Sequence, residues 1–353
     1  MNLEKYGIRG NALNFFASYL KSRKQFVKLN NVLSTSLLIE FGVPQGSILG
    51  PLLFLIFIND LPLASKFFIR LFADDTFLCA QNENFLSLET ETNKELEKVY
   101  NWLFSNKLTL NISKSKFMIL THKKHIPNIS IKINGQNLEQ CDSYKYLGIY
   151  IDKNLSWKVH VEHVCKKLSK ACGALAKTRH YVNVNVLKNI YYALINSYIR
   201  YGLFAWGNAS FETLKPTRAL TNRALRIMSF APLGRLDVQP IYEHFNILDV
   251  DKSFLLETGK FIYKYKHELI PSDIIASHFL RNHSTQTIPR YSLRSQTNDR
   301  SVVPYELLSS FAQKSIQNRM SVVWNAIPTE IHNCESFSCF KAQYKNYLLL
   351  DDL

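Results

Sequence analysis

Asp74 and Asp75 stand side by side in RLFADDTFLC, residues 70–79, a stretch otherwise apolar enough to be a buried strand. Adjacent carboxylates can hold divalent cations, and paired cations activate a hydroxyl and stabilise a leaving oxygen in phosphoryl transfer. Buried without such a partner, two carboxylates are costly, so the stretch predicts that something compensates their charge. Neighbouring residues of an ideal strand point to opposite faces, and both can serve one pocket only where the strand ends. KFFIRLFADDTFLCAQ reads as two short strands meeting near the pair, which puts Asp74 and Asp75 at or beside a hairpin tip. Asp is also a favoured turn residue, and the dipeptide alone reads as a turn more readily than as a metal site.

The elements around the pair follow from periodicity. NALNFFASYLKSRKQF places Leu13, Phe16, Ala17 and Leu20 on one helical face, with Lys21, Arg23 and Lys24 at its C-terminal end. FVKL and SLLIEF alternate around Asn30-Asn31 as a hairpin, and the loop GVPQGSILGP leads into an apolar run that reads as a buried helix. SLETETNKELEKVYNWLFSNKL reads as an amphipathic helix, while KFMILTH, ISIKI and SYKYLGIYID read as strands. Strands and helices alternating without a regular crossover pattern predict an α+β fold with a mainly antiparallel sheet. From Leu155 the period changes. Val161, Val164, Leu168, Ala171 and Leu175 step by three and four, and the segments to Phe230 continue as a helical bundle. Beyond Pro232 a helical stretch, SFLLETGKFIYKYKHEL, precedes a polar loop at residues 281–301, a Trp324-bearing helix and the tail SFSCFKAQYKNYLLL.

Composition narrows the class of partner. The chain carries a formal charge of +15, and twelve basic against two acidic residues between Ser156 and Phe230 account for +10 of it. A field of that sign favours a polyanion, nucleic acid before membrane. A hydrophobic share of 46% in 353 residues fits an ordered protein of about two domains. Six cysteines without a C-x-x-C pair make a reducing compartment the default, and MNLEKYGIRG does not read as a signal peptide. The longest apolar run, Ile48–Ile58, is too short to span a bilayer. His160, His163 and Cys165, and His332, Cys334 and Cys339, suggest metal sites, but their spacing favours structural roles.

Together, GVPQGSILGPLLFLIFINDL (42–61), LFADDTFL (71–78), LTLNISKSKFMIL (108–120) and YKYLGIYID (144–152) resemble four consecutive motifs of reverse transcriptases, in the order and spacing of non-LTR, LINE-like retrotransposons. The resemblance implies a partial polymerase palm at 1–154, a basic helical thumb at 155–232 and a mostly helical C-terminal region at 233–353. It implies that Asp74 and its neighbour Asp75 bind metal and are catalytic, with Lys114 acting at the leaving pyrophosphate. Gly42, Pro44, Gln45 and Gly46, with Phe72 and Ala73, would meet the template or the incoming nucleotide, and Tyr146, Leu147 and Gly148 would grip the primer. The implied cofactor is Mg²⁺ or Mn²⁺, two ions in the complete site. The implied partners are an RNA template, a DNA primer and deoxynucleoside triphosphates, in the nucleus or a cytoplasmic ribonucleoprotein. Each assignment has a plainer reading. Gly50-Pro51 starts a helix without any ligand, Lys114 is a solvated turn lysine that Lys116 could replace, and Tyr144 and Tyr146 are ordinary strand aromatics.

The family also has a strand carrying a further metal-binding Asp, and fingers that hold template and nucleotide, upstream of the segment matched by LEKYGIRGNALNFFASYL. Here no aspartate precedes Asp60. The expectation is therefore a site with two of its three carboxylates, an exposed palm edge, and a chain that is weakly active, inactive, or a noncatalytic nucleic-acid binder.

Overall fold

The computed structural model describes residues 3–121, 123–230, 237–270 and 316–350. The chain divides into two compact units, Met1–Asp142 and Ser143–Leu353, each with cores of its own. Helices mixed with small, mostly antiparallel ladders make the protein α+β, as the sequence predicts.

In the first unit, α1 (Gly10–Leu20) half-buries Leu13, Phe16, Ala17 and Leu20, the face its periodicity selects. Strands β1 (Lys24–Gln25) and β4 (Leu37–Leu38) pair beneath β2 (Lys28–Leu29) and β3 (Val32–Leu33), which turn at Asn30-Asn31 with φ of 47° and 65°. Asparagine tolerates that left-handed pair, and the turn matches the twist of the strands. Helix α2 (Leu49–Ile58) starts at Gly50-Pro51 as expected. Its predicted burial is only half right: Leu53 and Ile58 are buried, yet Ile48 before it and Leu52 and Leu55 within it are exposed at 94%, 51% and 47%. A helix apolar all round gives no sequence signal of which side meets protein.

Strands β5 (Phe68–Phe72) and β6 (Asp75–Cys79) form a five-pair antiparallel hairpin. Helix α3 (Phe85–Ser105) follows, capped by Asn84, whose Oδ1 accepts from Leu86 and Ser87 N–H. The expected strands KFMILTH and ISIKI contract to β7 (Lys116–Phe117) and β8 (Lys132–Ile133), followed by β9 (Gln136–Asn137) and β10 (Glu139–Gln140). A mainly antiparallel sheet was the expectation. Among the described residues there are instead two-stranded ladders, with β7 and β10 parallel. Local alternation marks which residues can extend; which strands then pair is a long-range matter.

In the second unit, YKYLGIYID is a hairpin, not one strand: β11 (Ser143–Tyr146) pairs with β12 (Ile149–Asp152) around Leu147-Gly148. The Asp152 carboxylate closes its end by accepting from the N–H groups of Asn154, Ser156 and Trp157 at 3.1, 3.0 and 2.8 Å. Helix α4 (Lys158–Thr178) then buries Val161, Val164, Leu168, Ala171 and Leu175, the five positions its spacing selects. Around it lie α5 (Val184–Tyr191), a π-turn at Tyr192–Asn196, α6 (Ser197–Arg200), α7 (Leu203–Trp206) and α8 (Phe211–Met228). Helices α9 (Gln239–Phe245) and α10 (Val250–Lys266) connect this core to a second one. That core is built on Tyr263, Trp324, Phe340 and Tyr344 with α11 (Ile316–Ala326), α12 (Thr329–His332) and α13 (Phe337–Leu350). The polar loop expected at 281–301 lies outside the described residues. No described helix is long and apolar enough to cross a membrane.

Candidate active site

The β5–β6 hairpin is fixed at its base and bare at its tip. Ile69 is buried against Ile58, Leu61 and Val99, with Leu71 and Leu78 half-buried beside them. The Glu95 carboxylate of α3 accepts from Ser65 Oγ and Lys66 N–H, both at 2.8 Å, and pairs with Lys98 at 2.6 Å. Led by the Lys98 hydrogen bond, these donors pull its pKa down to about 2. The chain therefore enters β5 at a set position.

At the other end Phe72 faces Asp75 across the ladder, and Ala73-Asp74 form the two-residue turn. Ala73 has φ of 50°. A positive φ at the first central residue is the II′ arrangement that hairpins favour, and it is usually filled by glycine. Alanine there holds a conformation an L side chain resists. Phe72, Ala73, Asp74 and Asp75 are all exposed, which overturns the expectation of buried carboxylates needing compensation. The strand that reads as apolar buries only alternate positions near its base, and the pair sits in solvent beyond them. The hairpin-tip placement is as the sequence predicts. Two exposed, adjacent carboxylates on a fixed hairpin fit a hard divalent cation as part of its oxygen shell. Among the described residues no group of three or more Asp, Glu, His or Cys gathers where it could hold a cation, so no third such side chain of the described residues joins the pair. The His160, His163, Cys165 and His332, Cys334, Cys339 groups, likewise, are not among such sites.

The other predicted residues occupy separate places. Gly42 and Gly46 both have positive φ, 90° and 75°, so glycine is required there by backbone conformation as well as for any close approach. Ser47 Oγ donates to Pro44 O at 2.6 Å and accepts from Gly50 N–H at 3.0 Å, tying the loop to the start of α2 and leaving Gln45 exposed. A residue the sequence reading treated only as helix-end charge organises this loop: Arg23 Nη2 donates to Gly42 O at 2.6 Å and its Nε to Leu20 O at 3.2 Å. Beside it is a shallow groove of about 430 Å³ lined by Arg23, Lys24, Gln25, Phe26, Ile39 and Pro44. The hint in sequence was an arginine between a helix end and a glycine loop, too weak to act on. Lys114 ends a 3₁₀ turn, Ile112–Lys114, capped by Asn111, and is exposed. Lys116, its alternative, pairs with Glu139 at 2.8 Å.

Tyr146, Leu147 and Gly148 belong to the second unit, at the tip of β11–β12, where Leu147 and Gly148 have φ of 45° and 83°. The basic segment is less uniformly available than its charge suggests. Arg218 forms a two-pronged pair with Asp251 at 2.6 Å, and Arg200 pairs with Glu257, which also holds Lys260 at 2.7 Å. Those acids lie outside residues 156–230, so counting charge within the segment missed them. Lys166, Lys167, Lys170 and Lys177 remain exposed along α4.

Residues 3–151 match the family described as reverse transcriptase (RNA-dependent DNA polymerase), a span that contains the β5–β6 hairpin, the Gly42–Gly46 loop and all of β11–β12 except Asp152. Residues 3–151 belong to the reverse transcriptase family. The chain is 27% identical over 228 residues to the RNA-directed DNA polymerase from mobile element jockey of Drosophila melanogaster, covering 61% of this chain and 25% of that protein. It is 26% identical over 220 residues to the probable RNA-directed DNA polymerase from transposon X-element of the same fly, covering 60% and 24%. It is 24% identical over 238 residues to the retrovirus-related Pol polyprotein from type-1 retrotransposable element R1 of Bradysia coprophila, covering 64% and 23%. These alignments run longer than the family match, so the likeness of the chain to non-LTR retrotransposon proteins continues outside residues 3–151. The chain spans about a quarter of the length of the curated relatives it matches.

Proposed function

We propose that this chain is the palm-to-C-terminal part of an RNA-directed DNA polymerase that copies an RNA template from a DNA primer, with a palm at 1–154, a basic thumb at 155–232 and a C-terminal region at 233–353. The observation that carries the reading is the Asp74-Asp75 pair, exposed at the tip of a hairpin anchored at its base, inside the span that matches the reverse transcriptase family. Asp74 and Asp75 would hold divalent cations, Mg²⁺ or Mn²⁺. When bound, such ions supply charge stabilisation and an activated primer hydroxyl. The third carboxylate and the fingers would come from sequence other than these 353 residues.

The chain's own residues take the remaining roles. Lys114 would neutralise the leaving pyrophosphate from its exposed place at the end of the Ile112–Lys114 turn. Gln45, exposed on a loop held by Arg23 and Ser47, meets the template or nucleotide with Gly42, Pro44 and Gly46, and Phe72 and Ala73 flank the same nucleotide. Tyr146, Leu147 and Gly148 grip the primer. The exposed lysines of α4 bind duplex phosphates without reading sequence.

The test is primer extension with an RNA template by a polypeptide that joins these residues to the sequence supplying the third carboxylate and the fingers, with and without Mg²⁺ or Mn²⁺. Activity that needs the cation and falls at least about a hundredfold in Asp74→Asn is the expected result, given that the substitution removes transition-state charge stabilisation. Extension that Asp74→Asn leaves intact overturns the catalytic reading. The exposed α4 lysines favour one alternative, a noncatalytic duplex binder. Salt-sensitive binding without extension, unchanged by Asp74→Asn, selects it.

A further inference from the structure

The segment Tyr201-Gly202-Leu203-Phe204-Ala205-Trp206 holds the β11–β12 hairpin at three points. At the tip, Tyr201 Oη donates to Leu147 O at 2.6 Å, and its ring lies over Gly148 so closely that a Cβ there would stand 3.1 Å from Cε1. One residue further, the Ile149 side chain occupies the space where Gly202 would carry a Cβ, and Gly202 has φ of 61°. At the third point the Trp206 indole, fully buried, donates to Tyr201 O at 2.9 Å and meets His160 edge-on at 5.3 Å. His160 Nδ1 in turn accepts from Tyr150 N–H at 3.3 Å.

These contacts differ in what they secure. Trp206 and His160 are packing elements whose loss opens the core, and any side chain at Gly202 would collide with Ile149. Tyr201 is 55% exposed and buries little, so its hydroxyl contributes modestly to folding. What that hydroxyl does is fix the Leu147 carbonyl of the two-residue turn, while the ring lies over Gly148. We infer that Tyr201 is a positioning residue for the hairpin tip, holding Leu147 and Gly148 in the orientation that receives the primer strand. The inference rests on reading residues 146–148 as a primer contact.

The experiment uses the full 353-residue chain with an RNA–DNA template-primer duplex bearing a photoreactive thymidine at the primer 3′ end, and crosslinked peptides are mapped at saturating duplex. Wild type is expected to crosslink to residues 146–148 and to α4. Tyr201→Phe keeps the ring over Gly148 and removes only the hydroxyl. It should lower the hairpin yield about fivefold, the ratio set by one ordinary hydrogen bond, with α4 crosslinks unchanged and the thermal midpoint lowered by no more than about 4 °C. An unchanged hairpin yield in Tyr201→Phe, with wild type crosslinking there, overturns the assignment. A parallel fall at the hairpin and α4, with a midpoint lowered by more than about 4 °C, also overturns it, showing a purely structural hydroxyl. A wild-type chain that never crosslinks to residues 146–148 sinks the primer-contact reading itself, and the role of Tyr201 falls with it.

Discussion

At the scale of single residues, Ala73 and Asp152 do opposite things for the backbone. Ala73 holds a positive φ at the turn that presents Asp74, and its methyl group makes that conformation less favourable than glycine would. Ala73→Gly should therefore raise stability by about 0.5 kcal/mol, read as a higher urea midpoint, since relief of strain slightly exceeds the added freedom of the unfolded chain. A lower midpoint would show that the alanine is unstrained. Asp152 is buried and gathers three backbone N–H donors at the entrance to α4. Asp152→Ala strands those donors and should cost about 2–3 kcal/mol in denaturant unfolding. A loss under about 0.5 kcal/mol would mean that solvent replaces the carboxylate. Asp152 was visible in YKYLGIYID only as a polar strand end; its role depends on a turn that brings residues 154, 156 and 157 back to it.

Among the elements, the two hairpins are attached by titratable groups whose pKa values move in the same direction. Burial, with a smaller push from His163, holds His160 down to about 4. In the folded state it is neutral, accepting from Tyr150 N–H at Nδ1, whereas the unfolded histidine takes a proton near 6.5. The unfolded state therefore binds more protons between those values, and stability falls as pH drops from 6.5 toward 4. Glu95, held down to about 2 from 4.5, contributes stability above 4.5 that is lost as pH falls toward 2. Urea midpoints taken from pH 7 to pH 3 should decline first in the second unit and later in the first, followed by tryptophan fluorescence of Trp206 and Trp102 as the sole tryptophan retained in each variant. His160→Gln should flatten the upper limb, and a second-unit midpoint constant between pH 6.5 and 4.5 would contradict this account.

For the whole molecule, the two units present different surfaces. The second encloses two cores of aliphatic and aromatic side chains, from Val161 to Phe254 and from Leu248 to Leu348. The first leaves Ile48, Leu52 and Leu55 outside, with β1–β4 exposed at every position. Exposed apolar patches of this kind promote association. Residues 143–353 expressed alone should unfold cooperatively as a monomer, while residues 1–142 should self-associate in light scattering, and Leu52→Glu should reduce that association. A monomeric, cooperative 1–142 would show that these side chains cover one another in solution.

The sequence by itself determined the helical faces of α1 and α4, the Asn30-Asn31 turn, the hairpin carrying Asp74 and Asp75, and the motifs that resemble reverse transcriptases. Each of these is written within a dozen or so residues, in periodicity, turn chemistry or a short motif. Only the tertiary structure decided that Asp74 and Asp75 stand in solvent, that α2 is bare on one side, and that the strands pair in twos. It alone showed that Asp251 and Glu257 answer Arg218 and Arg200, that Arg23 holds the Gly42 loop, and that Tyr201 reaches Leu147. Burial, strand pairing and ion pairing join residues far apart in the chain, and a local pattern carries no record of the partner.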